Sequence, residues 1–187
     1  MNNQYSPPDV SFVGHPVFEW NQVASALVLA VVLTIAVYHE VLARRIPNGL
    51  TYTAMIVGVS LAWSGGGTSV FASVAGLVAG FGFLFVFFLF GGVGGGDVKL
   101  MGAAGALMGF SRIQSAIVFT AILGGVMAVL YLVWHRDFWG YLTSRVNRIL
   151  PGKTSAHAGV KRPEIAVPYG LAIAGGCLLA MALNGIS

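Results

Sequence analysis

Charged side chains are scarce in this chain. Only 9% of its 187 residues are Asp, Glu, Lys or Arg, whereas 57% are hydrophobic. So few charges cannot cover the surface of a soluble globular protein of this length. The sequence therefore predicts an integral membrane protein, for which the lipid bilayer is the surrounding medium.

Cysteine is almost absent as well. Cys177 is the single one, which excludes a disulfide framework and a cysteine-based zinc site within one chain. The four histidines lack the spacing of a zinc site, so no metal is expected. Residues 1–20 contain no Lys or Arg and thus lack the basic region of a secretory signal peptide. We expect the first hydrophobic segment to remain in the mature protein.

Six apolar segments are candidates for membrane helices, although the second is short. Their expected bounds are 21–43, 50–63, 69–90, 98–110, 113–134 and 165–186. A polar stretch, 135–164, separates the last two and carries most of the basic residues. We expect it to be a cytoplasmic loop, with an amphipathic surface helix near 138–150, within a single membrane domain that covers residues 1–187.

The basic residues predict the orientation of these helices. With the N-terminus outside, nine of the ten Lys and Arg residues fall in cytoplasmic loops, and Arg112 is the exception. The sequence thus predicts an all-α membrane protein of six transmembrane helices with both termini on the outer, periplasmic side. Topology accounts for the basic residues without a nucleic-acid partner, and we expect the basic loop to contact anionic membrane lipid.

The 26 glycines form two kinds of pattern. Gly76 with Gly80, and Gly105 with Gly109, have the four-residue spacing that lets membrane helices approach closely. Five glycines within positions 91–96 are instead expected to leave the backbone unwound. Irregular backbone at membrane depth requires surrounding protein or a water-filled cavity, so we expect a cavity at the cytoplasmic border.

Two of the six acidic residues, Glu40 and Asp97, are placed by this topology at the cytoplasmic end of membrane helices. Ionisable groups at such depth are costly and are candidates for function. Each also has a purely structural interpretation. Glu40 could pair with Arg44 along the same helix, and Asp97 could be the N-cap of the fourth span.

A pair of carboxylates at a membrane border has a specific chemical use. Held close together in a partly dry site, the two groups do not both ionise, so one keeps its proton while the other can take a proton from water. That arrangement supports aspartyl-protease hydrolysis, in which the glycine backbone lets an extended peptide approach. The chain contains no Gly-x-Ser-x-Gly elbow for serine chemistry.

Three motifs resemble those of the type IV prepilin peptidases, which are GxGD-type membrane aspartyl proteases. They are Gly94-Gly95-Gly96-Asp97-Val98-Lys99-Leu100, Arg45-Ile46-Pro47-Asn48 and Val167-Pro168-Tyr169-Gly170-Leu171-Ala172-Ile173. The first resembles the family's Gly-x-Gly-Asp signature, the second the segment after its first catalytic aspartate, and the third the motif that opens its last helix. The position of that first aspartate is Glu40 here, which keeps the carboxylate but adds a methylene.

The resemblance implies a function and a site. It implies an endopeptidase in the bacterial inner membrane that removes the leader of a prepilin or pseudopilin at the cytoplasmic face, without a cofactor. Glu40 and Asp97 would be catalytic, and the other motif residues would bind substrate or support the site: Gly94, Gly96, Lys99, Arg45, Pro47, Asn48, Pro168, Tyr169 and Gly170. We expect no cysteine-bearing N-terminal domain, because the sequence is similar to the short CpaA/TadV form that accompanies Flp-type pili.

Two other functions remain open at this point. The glutamate at position 40 is compatible with an assembly factor of the same fold that binds prepilins without cutting them. A small proton-coupled transporter could also use glycine-broken helices and two intramembrane acids, but it would have no need of the Arg-Ile-Pro-Asn and Pro-Tyr-Gly segments.

Overall fold

The computed structural model describes residues 16–65, 68–134 and 169–184, and within these ranges all regular secondary structure is helical. The helices are α1 (Pro16–Ala43), α2 (Asn48–Trp63), α3 (Val70–Leu89), α4 (Gly95–Trp134) and α5 (Tyr169–Asn184). The expected loop 135–164, its surface helix and Pro168 lie outside the described residues.

Three helices are long and apolar enough to cross a membrane. They are Gln22–Ala43, Val70–Leu89 and Gly95–Leu130, and Tyr169–Leu183 is a shorter apolar helix. Large apolar side chains face outward, as Phe71 (84% exposed) and Ile56 (67% exposed) illustrate. Apolar surface of this extent is unusual on a soluble monomer and fits contact with lipid. The expected multi-pass membrane protein is thereby supported.

Helix α4 consists of two segments, 95–108 and 110–134, separated by Gly109. A straight helix of its 40 residues would be about 60 Å long, twice the thickness of a bilayer core. At the break Gly109 has φ 75° and ψ 169°, a conformation that glycine adopts because it has no Cβ. The sequence placed this break slightly later, at 111–112.

The two segments of α4 run in opposite directions. Arg112, just after the break, donates a hydrogen bond of 3.0 Å to Gln22 near the start of α1. Further along, Gly124 lies against the ring of Tyr169, the first residue of α5. Tyr169 adjoins Gly170, which contacts Glu40 near the end of α1. By Gly124 the chain has therefore returned to the end of the bundle where α4 began.

Small residues bring α3 and α4 into backbone contact, as their spacing predicted. A Cβ at Gly76 would overlap the carbonyl oxygen of Gly105, and one at Gly80 would overlap that of Met101. The hydroxyl of Ser73 donates a hydrogen bond of 2.7 Å to the carbonyl of Ala106 across the same interface. These contacts hold the first segment of α4 tightly against α3.

The first segment of α4 is the buried centre of the bundle. Almost every residue from Asp97 to Gly109 is buried, and α3, α5 and α2 pack around α4. A helix that is apolar on all sides is expected in such a central position. Asp97 therefore lies near the start of the most enclosed helical segment among the described residues.

Candidate active site

Glu40 occupies the last turn of α1 and is 8% exposed. The helix ends just after it, because Arg44 adopts a left-handed conformation (φ 51°) and its N–H donates a hydrogen bond of 2.8 Å to the carbonyl of Glu40. This is a left-handed helix cap, a position that glycine usually fills. The chain then passes through Ile46 to Pro47, the N-cap residue of α2.

Asp97 is the third residue of α4 and is 7% exposed. Its Oδ2 accepts a hydrogen bond of 3.2 Å from the N–H of Gly94, while its own N–H donates one of 3.1 Å to the carbonyl of Gly94. The first of these is one of the two hydrogen bonds of a capping box, in which the side chain of the third helical residue accepts from the backbone N–H of the N-cap residue. The N-cap interpretation was therefore wrong by three positions, because the helix starts before Asp97 rather than at it.

The glycine run is only partly unwound. Gly91 has φ 73°, and the backbone from Gly91 to Gly94 is non-helical, as predicted. Gly95 and Gly96, however, form the first turn of α4, so for these two the prediction was wrong. The early helix start places the Asp97 side chain where it can accept the Gly94 N–H.

Glu40 and Asp97 line one cavity of about 280 Å³. The other residues that line it are Arg44, Arg45, Ile46, Asn48, Gly94, Gly95 and Gly96. The end of α1, the segment that leads into α2, and the start of α4 thus meet at one end of the bundle. The expected cavity beside the glycine run is present, and both acids belong to it.

A third helix end completes the site. The N–H of Gly170, in the first turn of α5, donates a hydrogen bond of 3.1 Å to Oε1 of Glu40. Arg44 lines the same cavity, but the hydrogen-bond donor to the Glu40 carboxylate is this backbone group and not the guanidinium. The motif at 169–170 is therefore joined to the first acid through the backbone.

Each carboxylate keeps one oxygen without a hydrogen-bond partner among the described residues. These atoms are Oε2 of Glu40 and Oδ1 of Asp97, and both are buried. Buried carboxylate oxygens are costly when they have no partner, and such groups concentrate at functional sites. Each acid thus carries one buried polar atom that finds no hydrogen-bond partner among the described residues.

Three of the motif residues do not line the cavity, namely Lys99, Pro47 and Tyr169. Nζ of Lys99 donates a hydrogen bond of 2.9 Å to Oδ1 of Asn48 and lies 5.1 Å from the centre of the Tyr52 ring. This contact joins the start of α4 to the start of α2.

Gly124 is a neighbour of Tyr169 that the sequence did not predict. A Cβ there would overlap the Oη of Tyr169, so only glycine leaves room for this ring. The adjacent pair Gly124-Gly125 was the available signal, but it resembles any other small-residue pair in a membrane helix. In the part of the chain that the structure describes, no three His, Cys, Asp or Glu side chains group as a metal site.

Comparison with known proteins gives one match. A model of the type IV leader peptidase family matches residues 27–129, a range that contains both acids and the first two motifs. No curated protein and no solved structure matches the chain.

The geometry of the site predicts a specific cross-link. A Cβ built on Gly96 lies 3.1 Å from the Cβ of Ile46, and disulfides need a Cβ separation of about 3.5–4.5 Å. With Cys177→Ala as background, Ile46→Cys/Gly96→Cys should form a disulfide under mild oxidation, since a shift of a few tenths of an ångström suffices. Mass spectrometry after thiol alkylation would detect it as protection of both thiols.

The matched control is Ile46→Cys/Gly95→Cys. A Cβ on Gly95 faces the ring of Phe88 instead of Ile46, so both thiols should remain open to alkylation. Equal cross-linking of the two pairs, or of neither, would contradict the described packing of residues 44–47 on the start of α4.

Proposed function

Since the chain belongs to the type IV leader peptidase family, a bacterial inner-membrane family of aspartic-type prepilin peptidases, we propose that Glu40 and Asp97 are its catalytic pair. In this proposal the protein cuts the leader peptide from type IV or Flp-type prepilins at the cytoplasmic membrane face. The substrate is a prepilin or pseudopilin, and no cofactor takes part.

The observation that carries this proposal is the shared cavity of the two acids. Each carboxylate has one oxygen fixed by a backbone N–H, from Gly170 or from Gly94. Each has its other oxygen buried and free of protein partners among the described residues. Two carboxylates so arranged can hold a water molecule between a proton acceptor and a proton donor.

Hydrolysis then follows the usual course for a carboxylate pair. The ionised member takes a proton from water, and the water oxygen bonds to the carbon of the scissile carbonyl, while the protonated member gives its proton to the carbonyl oxygen. When the tetrahedral intermediate collapses, the C–N bond breaks and the leaving nitrogen receives a proton from the carboxyl group that took one from water. One hydroxyl of the intermediate returns its proton to the other carboxylate, so both acids regain their starting states. The products are a carboxylic acid and an amine.

The glycines and polar residues beside the acids suit an extended peptide. Gly94 and Gly96 expose backbone at the cavity, and Arg45 and Asn48 line the same space; we assign these four to substrate contact. Lys99 and Tyr169 support the site without lining it. Lys99 holds Asn48 by a hydrogen bond, and the ring of Tyr169 packs on Gly124. Pro47 directs the chain into α2, and Pro168 belongs to the same motif as Tyr169 and Gly170.

The carboxylate oxygens that have no hydrogen-bond partner among the described residues favour a protease over a binding factor that does not cut. An assembly factor needs a surface for the prepilin helix but has no use for two buried, partly unsatisfied acids, which cost stability. The glutamate at position 40 is still able to complete the pair, because Glu40 lines the same cavity as Asp97.

The site side and the number of spans are part of the same proposal. The break at Gly109 divides α4 into two segments, which supports six spans, and the distribution of the basic residues favours a cytoplasmic position for the site end. Alkaline phosphatase, which is active only after export, should be active when fused after Ser187 and inactive when fused after Gly152. The opposite pattern would contradict the proposed orientation.

Processing of a prepilin tests the chemistry. When the protein is co-expressed with a Flp-type prepilin, mass spectrometry should show loss of the leader. Asp97→Asn should abolish this loss, because it removes the acid but keeps the size and polarity of the side chain and leaves the protein inserted in the membrane.

A parallel variant, Glu40→Asp, distinguishes the two interpretations of Glu40. It is either a catalytic acid or a sign that the protein binds prepilins without cutting them. Cleavage by the parent chain would establish that a glutamate serves in the pair. No cleavage by the parent but cleavage by Glu40→Asp would identify a non-cutting member of the fold. Cleavage that persists in Asp97→Asn would refute the two-carboxylate mechanism.

A further inference from the structure

The start of α5 is in direct contact with the Glu40 carboxylate. Besides the hydrogen bond from the N–H of Gly170, a Cβ at position 170 would overlap Oε2 of Glu40 and lie 3.1 Å from its Cδ. The glutamate carboxylate thus occupies the space that any side chain at position 170 would need.

The length of the side chain at position 40 decides this contact. An aspartate there would withdraw its carboxylate from α5 by roughly the length of one C–C bond, about 1.5 Å. Space for a methyl group would then open at position 170. A glutamate at 40 and a glycine at 170 are therefore complementary in size.

Helix α5 cannot easily move away to relieve an overlap. Its first residue, Tyr169, has its ring against Gly124. About two turns further, Gly176 lies against the backbone of Thr120, where a Cβ would be 2.6 Å from the Thr120 nitrogen. At both contacts α5 packs directly against the second segment of α4, and no space is left between the two helices. A side chain at 170 would consequently displace Glu40 and not the helix.

We propose that Gly170 is a positioning residue for Glu40, and that the glycine at 170 lets the N-terminus of α5 hold the longer acid at the cavity with Asp97. The size match itself follows from the packing. Its consequence for catalysis rests on the proposed function.

A thermal-stability cycle tests the match without any substrate. The purified full chain in detergent is compared as parent, Gly170→Ala, Glu40→Asp and Glu40→Asp/Gly170→Ala. We expect Gly170→Ala to lower Tm in the parent background, and to lower it by about half as much or less in the Glu40→Asp background, because residues in contact do not act additively. Gly125→Ala is the matched control, since its Cβ would enter open space, and it should not lower Tm.

Cleavage rates of a prepilin peptide supply the second readout. Displacement of a catalytic group by about 1 Å can reduce the rate about 100-fold, so Gly170→Ala should lower kcat to that extent. The double variant Glu40→Asp/Gly170→Ala should recover to the rate of Glu40→Asp alone. Gly125→Ala should cut at the parental rate.

The outcomes separate the two proposals. Coupled Tm changes with a parent that cuts no prepilin would support the size match and contradict the peptidase function. Equal losses of Tm and rate from Gly170→Ala in both backgrounds, or no loss in either, would overturn the positioning role while a cutting parent left the function intact.

Discussion

Two buried carboxylates at one end of an apolar bundle need hydrogen-bond donors, and the arrangement of the helix ends follows from this need. Transfer of an acid out of water is costly unless polar partners replace the solvent. Glu40 receives its partner from the N–H of Gly170, and Asp97 from the N–H of Gly94. Both donors are backbone groups at the start of a helix, where N–H groups have no partner within the helix. The end of α1 and the starts of α4 and α5 must therefore meet.

Glycine is the residue that makes this meeting possible. At position 170 a Cβ would overlap the Glu40 carboxylate, and at position 96 it would lie 3.1 Å from the Cβ of Ile46. The same property holds the frame together farther away, where Gly76 and Gly105 bring α3 and α4 into backbone contact. Packing of this kind replaces the hydrophobic driving force that is absent between helices in lipid. The rigid frame fixes Asp97, and the α5 start fixes Glu40.

Much of this could be predicted from the sequence, because it depends on local patterns. Apolar runs indicated the membrane helices, the spacing of Gly76 and Gly80 indicated close packing, and the topology placed Glu40 and Asp97 at one end of the bundle. The roles of the two acids stay predictions. Side of the membrane and number of spans also stay predictions, because the described helices include three of full length and one shorter apolar helix.

The details that the sequence did not predict depend on contacts between distant segments. That the first segment of α4 is the buried centre depends on which helices surround it. The start of α4 at Gly95, three residues before the expected start at 98, depends on the hydrogen bond that the Asp97 carboxylate accepts from the N–H of Gly94. The contact of Tyr169 with Gly124 joins positions that no local pattern relates.

The central claim is that Glu40 and Asp97 act as one catalytic unit, and steady-state kinetics of the protein reconstituted in lipid nanodiscs test it most directly. The rate of prepilin cleavage would be measured for the parent, Glu40→Gln, Asp97→Asn and the double variant. If the two acids act on the same water, each single variant should be as inactive as the double, because residues that work as a unit are not additive. A Glu40→Gln variant that kept most of the parental rate while Asp97→Asn lost it would contradict the claim.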